Sequence, residues 1–389
     1  MQNFIYNTPT KVYFGKDTHL KVGEIIKELG YTKIMMQFGR DSIKKSGLYD
    51  QVVNSLKDNG IEVVAVGGVE PNPKVSFARE AVKIAKKEKV QMILAVGGGS
   101  VLDSSKYTAL GAKCEADVWD IAMGKFTPTD SLPVACILTH SAAGSEMSNS
   151  AVITNEELNM KKGFSTELNR CKFAICNPEL TYTLSPYQTA CGVVDIMAHT
   201  MERYFTDLPK TEPTDSICEA ILKTVINAGK KVMENACDYD ARASIMWASS
   251  LSHNGLTGCG RENYLAVHQL EHALSGVHDE VAHGAGLAVL FPAWAKFIYK
   301  KNVGRFARFA RNVWSVVGDD DEKVALLGIE KMQEFFSEIG MPSTISEFGI
   351  KENKSDLFAL ETTYNKTRTI KSYIPLGYEE IKEIFEICK

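Results

Sequence analysis

The stretch of sequence that decides the fold is QMILAVGGGSVLDSSK, residues 91–106. Its first six residues form a short apolar run, which is typical of a buried parallel strand. Three glycines follow, and they allow the backbone to turn sharply and to approach a ligand closely. Ser100 and Asp103 have the Ser-x-x-Asp spacing of a helix cap. The stretch therefore predicts a strand, a glycine-rich turn and a helix in succession.

The same alternation of strand and helix patterns continues on both sides of this stretch. Amphipathic helical patterns over residues 44–59 and 74–89 separate apolar runs rich in β-branched residues. Such an order predicts an α/β domain, in which crossover helices connect the strands of a parallel sheet. The predicted strands are Lys11–Phe14, Lys33–Phe38, Ile61–Val66, Gln91–Val96, Val134–Thr139, Ala151–Thr154 and Lys172–Cys176.

The periodicity becomes helical almost throughout after residue 185. The change coincides with the sequence Ser185-Pro186-Tyr187-Gln188, which combines a capping box with a proline in the first helical position. We therefore predict an α/β domain over residues 1–185 and an all-α domain over residues 186–389.

The composition excludes several classes of protein. A chain of 389 residues is too long for a small disulfide scaffold, and its nine cysteines include no Cys-x-x-Cys pair. A net charge of -4 gives no basic surface for nucleic acid, and no apolar run approaches the roughly 20 residues needed to cross a membrane. With no leader pattern at the first residues, we expect a cytoplasmic protein that binds small molecules.

The turn at Gly97–Gly99 has two interpretations. A strand, a glycine turn and a helix N-terminus can bind a pyrophosphate, but the same turn can also connect a strand to a helix without any ligand. The segments Thr139–Glu146 and Phe38–Lys45 also follow predicted strands, and they favour the nucleotide site. Arg40, Ser42, Lys44 and Lys45 favour a 2'-phosphate and hence NADP(H), whereas Asp41 favours NAD(H).

The histidines are concentrated in one part of the sequence. Five of the eight lie within residues 253–283, and His199 follows Asp195 by four, which places both on one helix face. His268 and His272 repeat that spacing, and His283 follows. Asp195, His199, His268 and His283 would together supply one oxygen and three nitrogens. This donor set suits Fe(II), Zn(II), Co(II) or Ni(II) and does not suit Mg(II).

A metal bound by this set would act as a Lewis acid on an alcohol or an aldehyde, with His272 as a proton relay. A single histidine on a helix is more often an ordinary core or surface residue than a ligand. The clustering of five histidines beside a nucleotide-binding pattern favours the metal site. His253 and His278 have no partner at helical spacing and stay unassigned.

The sequence resembles a known family, the iron-containing (group III) alcohol dehydrogenases. The similarity extends over essentially the whole chain and is greatest to the NADPH-dependent butanol dehydrogenase and aldehyde reductase branch. The matching motifs are Thr8-Pro9-Thr10, Phe14-Gly15-Lys16, Gly97–Val101 with Asp103, Gly144–Ser148, Asn177-Pro178, Gly192–Asp195 with His199, Gly255–Gly258, and His268 to His283-Gly284.

The resemblance implies a Rossmann-like, dinucleotide-binding α/β domain over residues 1–185, in the architecture of the dehydroquinate synthases. It implies that the helical domain over residues 186–389 binds metal and substrate. It also implies NADP(H), one divalent metal, a primary alcohol or aldehyde such as butanol or butyraldehyde as substrate, and a homodimer. The implied metal ligands are Asp195, His199, His268 and His283, with His272 as the nearby histidine that is not a ligand. The implied cofactor residues are Gly39, Ser42, Gly98, Gly99, Ser100, Val101, Thr139, His140, Ser148, Ser150 and Lys161.

Three other functions compete with this interpretation. A lyase similar to dehydroquinate synthase would need a concentration of Lys and Arg near the metal, where the sequence offers chiefly Arg203 and Arg261. A non-catalytic metal or nucleotide sensor would bind its ligand without turnover. A polyol dehydrogenase would use the same scaffold with a different substrate pocket.

Overall fold

The structure, a computed structural model, describes residues 1–207 and 210–389. The chain forms two compact units, residues 7–184 and residues 185–389 together with residues 1–6. The first six residues contact the helical unit, where the amide of Gln2 donates a hydrogen bond of 2.9 Å to the carbonyl of Gly260. The predicted division after residue 185 differs from these units at Ser185 and in the first six residues.

The unit of residues 7–184 alternates strands with helices, as predicted. Its strands are β1 (Lys11–Phe14), β2 (Lys33–Phe38), β3 (Glu62–Gly67), β4 (Met92–Gly97), β5 (Val134–Leu138), β6 (Ser150–Asn155), β7 (Met160–Ser165) and β8 (Phe173–Cys176). Its helices are α1 (Val22–Glu28), α2 (Ser42–Lys45), α3 (Leu48–Asp58), α4 (Val75–Glu88), α5 (Gly99–Ala112) and α6 (Val118–Ala122).

Six of these strands form one parallel sheet in the order β1-β8-β5-β4-β2-β3. The central strands β4 and β5 are buried along their whole length, which explains their unbroken apolar sequences. The predicted parallel sheet is therefore confirmed. The remaining strands, β6 and β7, form a separate antiparallel hairpin, and β7 was not predicted.

The strand order reverses between β2 and β4. The chain passes from β2 outward to β3 and then returns to place β4 on the opposite side of β2. Phe38 at the end of β2 pairs with Val96, and Gly97 at the end of β4 pairs with Leu138 of β5. The turns that follow β2, β4 and β5 therefore share the carboxyl edge of the sheet, where ligands bind in open α/β folds.

The cap predicted at Ser100 and Asp103 is wrong. Helix α5 begins at Gly99 with Gly98 as its N-cap, whose carbonyl accepts from the amides of Val101 and Leu102. Ser100 is thus already inside the helix. The carboxylate of Asp103 instead accepts hydrogen bonds from the Ser145 hydroxyl at 2.7 Å and the Val152 amide at 3.0 Å.

The second unit is helical, as predicted, and its core consists of apolar side chains from α7 to α15. These helices are α7 (Pro186–Tyr204), α8 (Glu212–Glu234), α9 (Tyr239–His253), α10 (Ala266–Val277), α11 (His283–Ile298), α12 (Val303–Trp314), α13 (Asp321–Glu338), α14 (Ser355–Thr363) and α15 (Tyr378–Ile387). The predicted capping box is confirmed at the start of α7, where Ser185 and Gln188 cap each other's backbone amides.

Helices α7 and α11 approach each other closely at Gly284. A Cβ atom on Gly284 would lie only 2.2 Å from the carbonyl oxygen of Cys191 in α7. Because the atoms that it would meet belong to the backbone, no side-chain rotation could make room for it. The glycine that follows His283 thus sets the distance between the two helices.

Among the residues that the structure describes, no helix combines the length and the apolar character needed to span a bilayer.

We expect Gly284→Ala to destabilise the helical unit, because the added methyl group would force α11 away from α7. Overpacking of this kind typically costs about 1–3 kcal/mol. The free energy of unfolding can be measured by urea denaturation. Gly304→Ala is the control, since a Cβ at Gly304 of α12 would meet no atom within 4 Å. Equal stability of the two variants would contradict the proposed role of Gly284.

Candidate functional site

The predicted metal ligands come together within the helical unit. Asp195 and His199 lie one turn apart on α7, His268 lies in the first turn of α10, and His283 is the first residue of α11. One oxygen, Oδ1 of Asp195, lies 3.4 Å from His268 Nε2 and 3.7 Å from His283 Nε2. The same oxygen lies 3.0 Å from His199 Nδ1. All four predicted ligands are therefore neighbours.

These residues provide an environment that a divalent cation would fit. Asp195 and His268 are 4% and 7% exposed, and neither Asp195 Oδ1 nor His268 Nε2 has a hydrogen-bond partner among the described residues. Buried polar atoms without partners are costly unless they bind a ligand or a metal. Two ligand atoms about 2.1 Å from one zinc or iron ion lie roughly 3.4 Å apart at tetrahedral angles. The separations of 3.4 and 3.7 Å are close to that value.

The histidines around Asp195 favour the ionised form of its carboxylate. Burial acts to raise the pKa of Asp195, but the neighbouring His199, His268 and His283 hold it well below its usual value. Burial lowers the pKa of His199 to about 4, so this imidazole is neutral at neutral pH. Burial also acts to lower the pKa of His268, but Glu202 and Asp195 raise it to about 9. A cation that binds His268 must therefore displace a proton.

The structure also places the other histidines of the cluster. The His272 ring lies 5.8 Å from the ring of His283, measured between centroids, and is not fully buried. His253, which the sequence leaves unassigned, packs edge-on against His199 at 4.1 Å. His278 lies apart from these rings and contacts Glu280 and Lys354. His272 is thus close to the predicted ligands, and His253 forms part of their surroundings.

The two arginines that a dehydroquinate-synthase-like lyase would need are engaged within the protein. Arg203 donates a hydrogen bond of 2.7 Å to the carbonyl of His199. Arg261 forms an ion pair of 2.7 Å with Asp215 and also donates to the carbonyl of Arg203. Burial lowers the pKa of Arg203 to about 10, and both side chains are at most 6% exposed. They stabilise the end of α7, and neither presents its guanidinium to a sugar acid.

The predicted nucleotide-binding residues lie in the α/β unit, and several share the carboxyl edge of the sheet. Gly39 and Ser42 follow β2, Gly98–Val101 follow β4, and Thr139 and His140 follow β5. None of the three glycines at 97–99 has a positive φ, so they are needed for space rather than for backbone conformation. A Cβ on Gly98 would lie 2.9 Å from the Cβ of His140, so any other residue at position 98 would clash with His140.

Lys106 of α5 holds the segment that carries two more of the predicted residues. Its side chain is completely buried, and Nζ donates hydrogen bonds to the carbonyls of Ser145, Ser148 and Ser150 at 2.7 to 3.2 Å. The remaining predicted residue, Lys161, lies on β7, where its Nζ is 3.0 Å from Oδ1 of Asn72. Ser148, Ser150 and Lys161 thus belong to the hairpin region and not to the strand-end turns.

Comparison with known proteins identifies the family. A family model described as iron-containing alcohol dehydrogenase matches residues 9–178, and the C-terminal model of the same family matches residues 189–388. The chain belongs to the iron-containing alcohol dehydrogenase family. It is an oxidoreductase of that family, as the sequence resemblance predicted.

Individual relatives support the butanol dehydrogenase branch. The chain is 40% identical to NADH-dependent butanol dehydrogenase A of Clostridium acetobutylicum, over 99% of both chains. It is 36% identical to NADPH-dependent aldehyde reductase YqhD of Escherichia coli, over 90% of both. The crystal structure of NADH-dependent butanol dehydrogenase A from Thermotoga maritima superimposes with a TM-score of 0.97 at 40% identity and covers 100% of this chain and 99% of its own. The predicted fold class is therefore confirmed.

Sequence reasoning missed two residues that contact the predicted ligands. Glu202 hydrogen bonds to His268, and Glu271 hydrogen bonds to His283. Glu202 could have been found, because it follows His199 by three residues and Asp195 by seven and so shares their helix face. Glu271 offers the same signal, because it follows the predicted ligand His268 by three residues on α10.

Proposed function

We propose that this protein is a divalent-metal-dependent oxidoreductase that uses NAD(P)(H) to interconvert primary alcohols and aldehydes, such as butanol and butyraldehyde. The observation that carries the proposal is the buried, ionised Asp195, whose Oδ1 faces Nε2 atoms of His268 and His283 at 3.4 and 3.7 Å. The relatives named butanol dehydrogenase and aldehyde reductase support the substrate class.

Asp195, His199, His268 and His283 would hold Fe(II) or Zn(II), since a mixed set of carboxylate and imidazole donors suits either ion. When bound, the cation would supply Lewis acidity that polarises an aldehyde carbonyl and eases the deprotonation of an alcohol. Asp195 contributes the negative charge that partly balances the cation. The imidazoles of His199, His268 and His283 would bind the cation as neutral donors.

His272 is the proposed proton relay. A bound nicotinamide coenzyme would supply the hydride for reduction of an aldehyde, and the carbonyl oxygen would then require one proton. An imidazole can donate or accept that proton near neutral pH. His272 is close to the predicted ligand His283 and retains partial exposure, so it can exchange protons with solvent.

NADP(H) is the coenzyme that Arg40, Ser42, Lys44 and Lys45 predict, whereas butanol dehydrogenase A of Clostridium acetobutylicum is named as NADH-dependent. Arg40 forms an ion pair with Glu70, which follows β3. A 2'-phosphate would compete with Glu70 for the Arg40 guanidinium, whereas a 2'-hydroxyl would not. We therefore propose that this ion pair sets the ratio of NADPH to NADH use.

The homodimer and the cytoplasmic location stay predictions from the resemblance and the composition.

The metal-dependent activity can be tested with the predicted ligands. We expect the wild-type protein with Fe(II) or Zn(II) to oxidise NADPH or NADH when butyraldehyde is added. Asp195→Ala and His268→Ala should both lose stoichiometric metal and turnover. His278→Ala is the matched histidine control and should keep both. Unchanged metal content in both ligand variants would refute the ligand assignment, and no turnover of short aldehydes with either metal would refute the proposed reaction.

If His272 is a proton relay, its loss should affect the protein differently from the loss of a metal ligand. His272→Ala should retain metal, but turnover should fall by roughly 10²–10⁴-fold, the usual contribution of general acid–base catalysis. The pH dependence of kcat should also change, because the group that delivers the proton is gone. Metal analysis and pH–rate profiles measure the two effects. Loss of stoichiometric metal in this variant would make His272 a ligand instead.

Removing the carboxylate of Glu70 should favour NADPH. In Glu70→Gln, Arg40 no longer has a charged partner, so kcat/KM for NADPH relative to NADH should rise by up to about fivefold, the range of a surface ion pair worth up to about 1 kcal/mol. Glu62→Gln is the control, because Glu62 pairs with Lys33 at the opposite end of β3. The proposal fails if the ratio changes equally in both variants or in neither.

A further inference from the structure

Two of the predicted histidine ligands are held by buried glutamates. His268 Nδ1 hydrogen bonds to Glu202 Oε2, and His283 Nδ1 hydrogen bonds to Glu271 Oε2. In both rings the other nitrogen, Nε2, faces Asp195 Oδ1. We propose that Glu202 and Glu271 are positioning residues that orient these imidazoles toward a bound cation. The inference rests on the ligand set proposed above.

Glu202 is fixed from two sides. Its side chain is 2% exposed, and its second oxygen, Oε1, accepts a hydrogen bond from the amide of Val267 in the first turn of α10. A carboxylate is favourable at that place, since the first amides of a helix lack partners within the helix. Glu202 therefore connects α7 to α10 and sets the orientation of His268 in the same contact.

Glu271 occupies space that a glycine of α11 leaves open. Its side chain is fully buried, and a Cβ on Gly286 of α11 would lie 3.0 Å from Glu271 Cγ and 3.2 Å from Oε1. The sequence Gly284-Ala285-Gly286 after His283 thus has two separate purposes. Gly284 allows the close approach of α11 to α7, and Gly286 leaves room for the carboxylate that contacts His283.

His199 has a different acceptor. Its Nδ1 lies 2.9 Å from the backbone carbonyl of Asp195, four residues earlier in α7. All three histidines therefore have an oxygen acceptor beside Nδ1. In the neutral rings this favours the tautomer with the proton on Nδ1, whose Nε2 can then bind a cation. A carboxylate acceptor also makes the imidazole a stronger metal ligand than a carbonyl does. We expect His268 and His283 to depend on their partners more than His199 does.

A purely structural role for the two glutamates makes a different prediction. If they only connected helices, their loss would lower the stability of the protein with and without metal, and the remaining folded protein would bind metal normally. If they orient the ligands, metal affinity falls and the ligand field of the bound ion changes. The two roles can therefore be distinguished by measuring the affinity for metal and the spectrum of the bound ion.

The experiment uses Glu202→Gln and Glu271→Gln in the full-length protein. Glu219→Gln is the matched control, because Glu219 is a buried carboxylate of the same unit that contacts Tyr204 and Arg308. Zinc affinity is measured by competition with a chelator, the thermal stability of the metal-stripped proteins is measured in parallel, and the visible absorption of bound Co(II) reports the ligand field.

We expect each glutamate variant to bind zinc about 10–100-fold more weakly than the wild type, the usual effect of losing such a partner. Its Co(II) spectrum should change, whereas Glu219→Gln should keep the wild-type affinity and spectrum. If Glu271→Gln does not fold, Gly286→Ala displaces the same carboxylate without removing it and should also weaken zinc binding.

Wild-type zinc affinity and an unchanged Co(II) spectrum in both glutamate variants would overturn the inference. So would a loss of affinity in Glu219→Gln of the same size. Failure of the proposed function gives a distinct result, because Asp195→Ala and His268→Ala would then retain stoichiometric metal. If those two variants lose metal while the glutamate variants keep it, the ligand set stands and only the positioning role fails.

Discussion

The backbone contact between α7 and α11 at Gly284 is the constraint on which the candidate metal centre depends. Carboxylate and imidazole side chains are short, so Asp195 and His283 can face each other only if their helices lie very close. Packed helix axes are usually 8–10 Å apart, and the side chains at the contact set that distance. With a glycine opposite the carbonyl of Cys191, α11 lies closer to α7 than a residue with a Cβ at position 284 would allow. Its first residue, His283, then reaches Asp195.

Much of the fold follows from local sequence. The strand at Met92–Gly97, the glycine turn after it and the capping box at Ser185 are all determined by residues that are neighbours in the chain, and each was predicted from these neighbours. The pairing of Asp195 with His199 follows from helix periodicity in the same way. That His268 and His283 join them could be expected only from clustering and family resemblance, because periodicity does not bring separate helices together.

The errors and omissions concern contacts between separate secondary-structure elements. Asp103 has the spacing of a helix cap, yet its carboxylate contacts Ser145 and Val152, since Gly98 already caps the helix. Strand β7 was missed because its sequence, MKKGFS, has two lysines and a glycine and forms a strand through its pairing with β6. Glu202 and Glu271 were missed because each accepts from a histidine on another helix, which spacing along one helix does not reveal.

The division of the chain has a consequence for how such an enzyme can evolve. The proposed ligands and both glutamates belong to the unit of residues 185–389, whereas the predicted nucleotide-binding residues all belong to the unit of residues 7–184. Substitutions that alter the choice of metal need not alter the choice of coenzyme, and the reverse also holds. Relatives with one architecture can therefore diverge in these two properties along separate mutational routes, and neither property has to be inherited with the other.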